Sequence, residues 1–138
     1  MRSFFDTNIF VCLFDEDSPE KKAQAQHLLK KETENGRILL STQVLQEFYV
    51  VVTRKLEVPL PAEKAEEAVG QLMILPLVET GSSHILKAIR KSITLQLSFW
   101  DALIIEAAVS GGASVLYTED LQHGQTIDNL KILNPFQS

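Results

Sequence analysis

Short apolar runs alternate with longer stretches of helical spacing, and that alternation is the strongest constraint this sequence places on its own fold. Ser3-Phe4-Phe5 leads into a helical pattern through Ile9, Val11, Leu13 and Phe14. Arg37 to Leu40 leads through Ser41-Thr42 into another over Gln43 to Lys55, striped by Val44, Phe48, Val51 and Val52. Strand, helix, strand, helix reads as parallel strands joined by helical crossovers. Between the first two strands, Ser18-Pro19 offers an N-cap and a proline at the first helical position, and Asn35-Gly36 ends the helix.

Val58-Pro59-Leu60-Pro61 is a rigid break, after which Ala62 to Met73 resumes helical spacing. Ile74 to Val78 is a short strand that Pro76 assigns to an edge. A helix follows Gly81-Ser82-Ser83, with Ile85, Leu86, Ile89 and Ile93 expected inward and Lys87, Arg90 and Lys91 outward. Ser98-Phe99-Trp100-Asp101 opens a helix apolar nearly all round, which marks it as central. Ser114 to Tyr117 and Leu130 to Leu133 complete the strands.

A chain of 138 residues corresponds to one domain, residues 1–138, large enough to bury a core. No apolar window approaches the ~20 residues that span a bilayer, and no secretory signal is apparent, so a cytoplasmic protein is expected. Cys12 is the only cysteine, which excludes an internal disulfide. The formal net charge of −5 argues against indiscriminate phosphate binding, although acids neutralised by a bound cation would leave basic residues free to hold a polyanion. Arg54, Lys55, Lys87, Arg90 and Lys91 are the candidates for that contact.

Four acids fall at comparable places. Asp6 and Asp120 follow apolar runs and would emerge from the carboxyl ends of strands, where open α/β sheets collect ligands. Glu47 and Asp101 would lie in the opening turns of helices at that same edge. Each has a structural alternative: Asp6 or Asn8 as an N-cap, Glu47 as an acid favoured by the helix dipole, Asp101 as the acid of a capping box with Ser98. Together they raise an electrostatic problem, because two unit charges ~5 Å apart repel by about 3 kcal/mol at an effective dielectric near 20. A hard divalent cation removes it. Oxygen ligands without His or Cys partners favour Mg²⁺ or Mn²⁺ over zinc, and such a metal with a phosphate substrate performs phosphodiester hydrolysis. Thr7, Asn8 and Thr118 would add neutral hydrogen bonds to a metal-bound water or a phosphate.

Phe5-Asp6-Thr7-Asn8, the helical Glu47, Phe99-Trp100-Asp101-Ala102-Leu103-Ile104 and Thr118-Glu119-Asp120 together resemble the acidic signature of PIN domains. The spacing, the small size and Leu121-Gln122-His123-Gly124 are similar to VapC-type toxins. The resemblance covers essentially the whole chain. It implies a three-layer α/β/α fold with a central, mostly parallel five-stranded sheet, and Mg²⁺- or Mn²⁺-dependent endoribonuclease activity on RNA. It also implies frequent dimerisation and inhibition by a small antitoxin whose tail occupies the active groove. Asp6, Glu47 and Asp101 carry over as the main catalytic and metal-site acids, Asp120 as the fourth and Thr118 as its polar companion; register favours Asp120 over Glu119. Two other readings stand beside it. An aspartyl-phosphate phosphatase of the haloacid dehalogenase type also begins with a strand ending in Asp, but needs a second aspartate where this chain has Asn8. A non-catalytic module could keep the fold and bind protein or RNA.

Overall fold

A computed structural model describes residues 1–137. Six strands, β1 (Arg2–Phe5), β2 (Ile38–Ser41), β3 (Leu77–Val78), β4 (Ala113–Tyr117), β5 (Thr126–Ile127) and β6 (Leu130–Leu133), form one sheet in the order β3-β2-β1-β4-β6-β5. All neighbours are parallel except β5 and β6. The helices are α1 (Thr7–Val11), continued by a 3₁₀ turn over Cys12–Phe14, then α2 (Pro19–Glu34), α3 (Thr42–Arg54), α4 (Ala62–Leu72), α5 (Ser82–Leu95) and α6 (Phe99–Ser110). The layers are those of a three-layer α/β/α fold. α6 lies across β2, β3 and β4 with α5 packed on it, while α2 and α3 contact β2 and α3 carries α1 and α4. No single described helix is long and apolar enough to cross a membrane.

The mostly parallel sheet is as expected, with one strand more. β5 and β6 are joined by Asp128 and Asn129, whose φ angles of 51° and 66° make the two-residue turn that suits a tight hairpin. A strand of two residues is too short to show a period, so the sequence pattern passes over it.

β1 is buried along Ser3–Phe5 and lies centrally between β2 and β4. Its core is aromatic: the Phe5 ring stacks on Tyr117 at 5.0 Å, and Phe14 meets Phe48 edge-on at 5.6 Å. At the opposite end of the strand, buried Glu32 accepts from Ser3 Oγ at 2.8 Å and faces the Arg37 guanidinium at 3.6 Å. Gly111 ends α6 where a side chain has no room; a Cβ there would stand 2.4 Å from Leu39 Cδ2 and 2.8 Å from Val78 Cγ2. The close approach seats α6 on the sheet.

One expectation is overturned. Ile85, Leu86, Ile89 and Ile93 of α5 are exposed, Leu86 by 68% and Ile93 by 73%. α5 instead turns Ala88 inward and sends Lys91 to Glu106 of α6 at 2.9 Å and to Asp128. The small alanine allows close helix contact, and the lysine finds two carboxylates, so the larger apolar stripe is left outside. Lys91 is therefore occupied, unlike exposed Lys87 and Arg90, and it leaves the set of candidate phosphate contacts.

Candidate functional site

The chain builds β1, β2 and β3 outward on one side, then crosses back to place β4 on the other side of β1. The order of strands reverses between β1 and β4, and the crevice at such a point, beyond the carboxyl ends, is where open sheets bind ligands. Asp6 leaves β1 there. Its backbone N–H continues the ladder to Tyr117 O at 3.0 Å, while Thr118 is the first residue beyond β4.

Asp6 both caps α1 and lines the cleft at that point. Oδ1 accepts from the Thr7 N–H at 2.7 Å, starting α1, and Oδ2 accepts from Thr118 Oγ1 at 2.8 Å. Only 6% of the residue is exposed. Burial lifts its carboxyl from 3.8 to about 6, opposed by the bonds from Thr118 and Thr7 and reinforced by the charges of Asp120 and Glu47. Thr118 Oγ1 in turn accepts from the Asp120 N–H at 3.1 Å, so one hydroxyl links two of the acids. The Asp120 carboxyl is also raised, first by burial and then by the charges of Asp101, Glu119 and Glu47. Asn8 Nδ2 reaches both Asp120 oxygens at 3.4 Å.

Glu47 arrives from α3. Thr7 Oγ1 donates to its Oε1 at 2.8 Å, joining the strand-end acid to the helix acid across 40 positions of sequence. Asp101 sits in the first turn of α6, where Ser98 Oγ accepts from the Asp101 N–H at 3.1 Å, which is the backbone half of the expected capping box. Its charge is felt by Asp120, yet it does not line the cleft beside Asp6. That cleft, about 410 Å³, is walled by Asp6, Thr7, Asn8, Glu47 and Asp120, with Gln43, Gln46, Val50, Val51, Lys55 and Trp100 completing it. Glu119 turns elsewhere, pairing with Lys21 at 2.7 Å, so Asp120 rather than Glu119 faces the cleft.

Six of the seven residues singled out from sequence, Asp6, Thr7, Asn8, Glu47, Thr118 and Asp120, thus meet in one hydrogen-bonded cluster, and Asp101 stands at its margin. The sequence reasoning passed over Gln43, Gln46 and Trp100. Gln43 precedes Glu47 by one helical turn, and that spacing alone puts both on one face of α3.

The donor set is all oxygen, and two of its carboxyls are held above their ordinary range by burial and by the charges of neighbouring acids, so the cleft favours a positive charge. This fits Mg²⁺ or Mn²⁺. Among the described residues, however, no three acids, histidines or cysteines converge closely enough to enclose an ion directly. Such an ion would have few protein ligands and keep much of its water, as Mg²⁺ ordinarily does.

The chain matches the family model for the PIN domain over residues 3–127. Comparison with curated protein sequences finds no match. Among solved structures, Mycobacterium tuberculosis VapC20, a sarcin-ricin loop cleaving toxin, is similar with a TM-score of 0.69 and 16% identity, over 86% of this chain and 89% of that one. VapBC2 from Rickettsia felis, bound to a promoter DNA fragment, is similar at 0.68 and 19%, over 96% and 97%. A toxin–antitoxin complex from Klebsiella pneumoniae is similar at 0.66 and 18%, over 99% of each chain. With an acid at the end of its central strand, a second acid reaching it from α3 and a family match over most of its length, this chain belongs to the PIN-domain family.

Proposed function

We propose that the chain is a divalent-metal-dependent endoribonuclease of the VapC type, the toxin half of a toxin–antitoxin pair, acting in the cytoplasm. The observation that carries the reading is the joining of Asp6, Glu47 and Asp120 through Thr7, Thr118 and Asn8 at the strand-order reversal. Asp6, Glu47, Asp101 and Asp120 would hold Mg²⁺ or Mn²⁺. The ion supplies polarisation of a phosphoryl oxygen and a water of lowered pKa. The chain's own residues do the orienting. Thr118 and the Thr7 N–H fix the two oxygens of Asp6, Thr7 Oγ1 fixes Glu47, and Asn8 steadies Asp120. Exposed Lys55 on the cleft wall is placed to contact an RNA phosphate.

RNA as substrate is supported by the Mycobacterium tuberculosis neighbour, which cleaves the sarcin-ricin loop, and an antitoxin partner by the neighbours held in toxin–antitoxin complexes. A homodimer is supported by the bare stripe Ile85, Leu86, Ile89 and Ile93 on α5, an exposed apolar face of the kind that protein interfaces cover. The test is cleavage of a defined RNA with and without Mn²⁺, by the wild type and by Asp6→Asn. The wild type cleaves only with metal, the variant does not cleave, and both keep the same circular dichroism. Undiminished cleavage by the variant would remove this reading. RNA affinity should also fall as salt rises.

The alternative reading is a PIN-fold module that binds RNA or protein without cutting. A calorimetric titration with no saturable Mn²⁺ uptake would select it.

A further inference from the structure

Three side-chain atoms are buried without a hydrogen-bond partner among the described residues: Glu32 Oε2, Ser41 Oγ and Gln43 Oε1. Glu32 has the Arg37 guanidinium nearby, and Ser41 does not line the acid cleft. Gln43 does line it, while being only 4% exposed itself. Its Nε2 donates to Trp100 O at 3.2 Å. That bond determines which end of the amide is which, because a carbonyl accepts only from the NH₂ end. Oε1 is consequently committed to a direction in which no protein group donates to it. Buried acceptors of this kind are uncommon and costly in a fold that gains nothing from them.

We propose that Gln43 is a positioning residue for the divalent cation: its Nε2 ties the start of α6 to α3, and its Oε1 accepts a hydrogen bond from a water of the cation's hydration shell. The inference rests on the metal-dependent reading above and adds to it a residue that carries no charge. α3 bears Glu47 and α6 bears Asp101, so the Gln43–Trp100 bond spans the two helices that deliver the acids not supplied by β1 and β4. Oε1 is enclosed, and a donor that reaches it must be small, which suits a water and not a guanidinium or a ribose. Cation-bound waters are strong donors, and a cation with few direct protein ligands keeps several of them needing acceptors. A neutral amide oxygen meets that need without another negative charge beside Asp6, Glu47 and Asp120.

The experiment is Mn²⁺ uptake by the metal-free protein without RNA, followed by calorimetry and by quenching of Trp100. Trp100 is the only tryptophan and stands 60% exposed in the cleft wall. Gln43→Met keeps length and removes both polar ends; loss of the Trp100 bond is offset by removal of the unpaired acceptor, so metal-free stability in urea stays close to that of the wild type while Mn²⁺ affinity falls about tenfold. Cleavage of RNA by this variant returns to the wild-type kcat as Mn²⁺ is raised, which a damaged fold would not allow. Gln43→Glu gives up the Nε2 bond to Trp100 O but keeps the acceptor and adds a charge facing the cation that outweighs the loss, so it binds Mn²⁺ at least as tightly as the wild type. Equal Mn²⁺ affinity in the wild type and Gln43→Met overturns the proposal, as does weaker binding by Gln43→Glu. The glutamate variant decides alone if the methionine variant does not fold. A wild-type chain that takes up no Mn²⁺ overturns this inference and the metal-dependent reading together, whereas unequal outcomes among variants of a Mn²⁺-binding wild type bear on Gln43 only.

Discussion

Replacing Asp6 by Asn separates the charge of this side chain from its hydrogen bonds. The asparagine carbonyl keeps the bond from the Thr7 N–H, and its amide can donate to the Thr118 hydroxyl, reversing that bond without losing it. What disappears is a buried negative charge. With the carboxyl raised from 3.8 to about 6, the ionised form costs the metal-free fold about 3 kcal/mol. The sign follows from the direction of the shift. A group whose folded value lies above its unfolded one contributes stability that is complete below pH 3.8 and is lost as pH rises through about 6. In EDTA at about pH 7.5, Asp6→Asn should therefore unfold in urea with a free energy about 2–3 kcal/mol higher than the wild type, a gap that closes as the pH falls below about 4. The same variant should have lost RNA cleavage, and saturating Mn²⁺ should stabilise the wild type more than the variant. An Asp6→Asn protein no more stable than the wild type in EDTA at that pH would refute the claim that burying the ionised Asp6 carboxylate costs the metal-free fold stability.

Other outcomes follow from single contacts. Gly111→Ala should destabilise the protein by about 1–3 kcal/mol in urea unfolding, because its Cβ would collide with Leu39 and Val78. Asp120→Asn should lower cleavage by at least about tenfold, while Glu119→Gln, whose parent is engaged with Lys21 outside the cleft, should stay within about twofold of the wild type. Ser3→Ala should cost about 1–3 kcal/mol, since it strips a hydrogen bond from buried Glu32. Ile89→Arg, on the exposed stripe of α5, should convert the proposed homodimer into a monomer in light scattering with cleavage chemistry intact at equal site concentration.

Much of the fold can be read from the chain because its strands and helices differ in period and are separated by strong punctuation. Ser18-Pro19 does open α2, Pro76 does precede an edge strand, and the nearly all-apolar segment after Ser98 is the buried α6. The α3 boundaries expected at Gln43 and Lys55 fall one residue from the observed Thr42 and Arg54. The acids were legible for a related reason: strand ends and helix starts in a parallel sheet share one edge, so register alone gathers them. What the sequence hides is the choice between equally plausible partners. The stripe on α5 has correct helical spacing, but spacing does not say whether the stripe meets the core or another surface, and here Ala88 and Lys91 take the inner side. Gln43 was passed over because a neutral amide in a helix has no signature until its two ends are seen to have unequal company.

Both margins of the sheet are two-residue strands, β3 directly preceded by Pro76 on one side and β5 closed by a tight hairpin on the other. Neither offers a length of free backbone on which a foreign strand could zip up. Short edges of this kind disfavour the recruitment of another polypeptide by strand addition. Partners are left the helices, the loops and the cleft beyond the strand ends, where recognition depends on side chains and so discriminates among them.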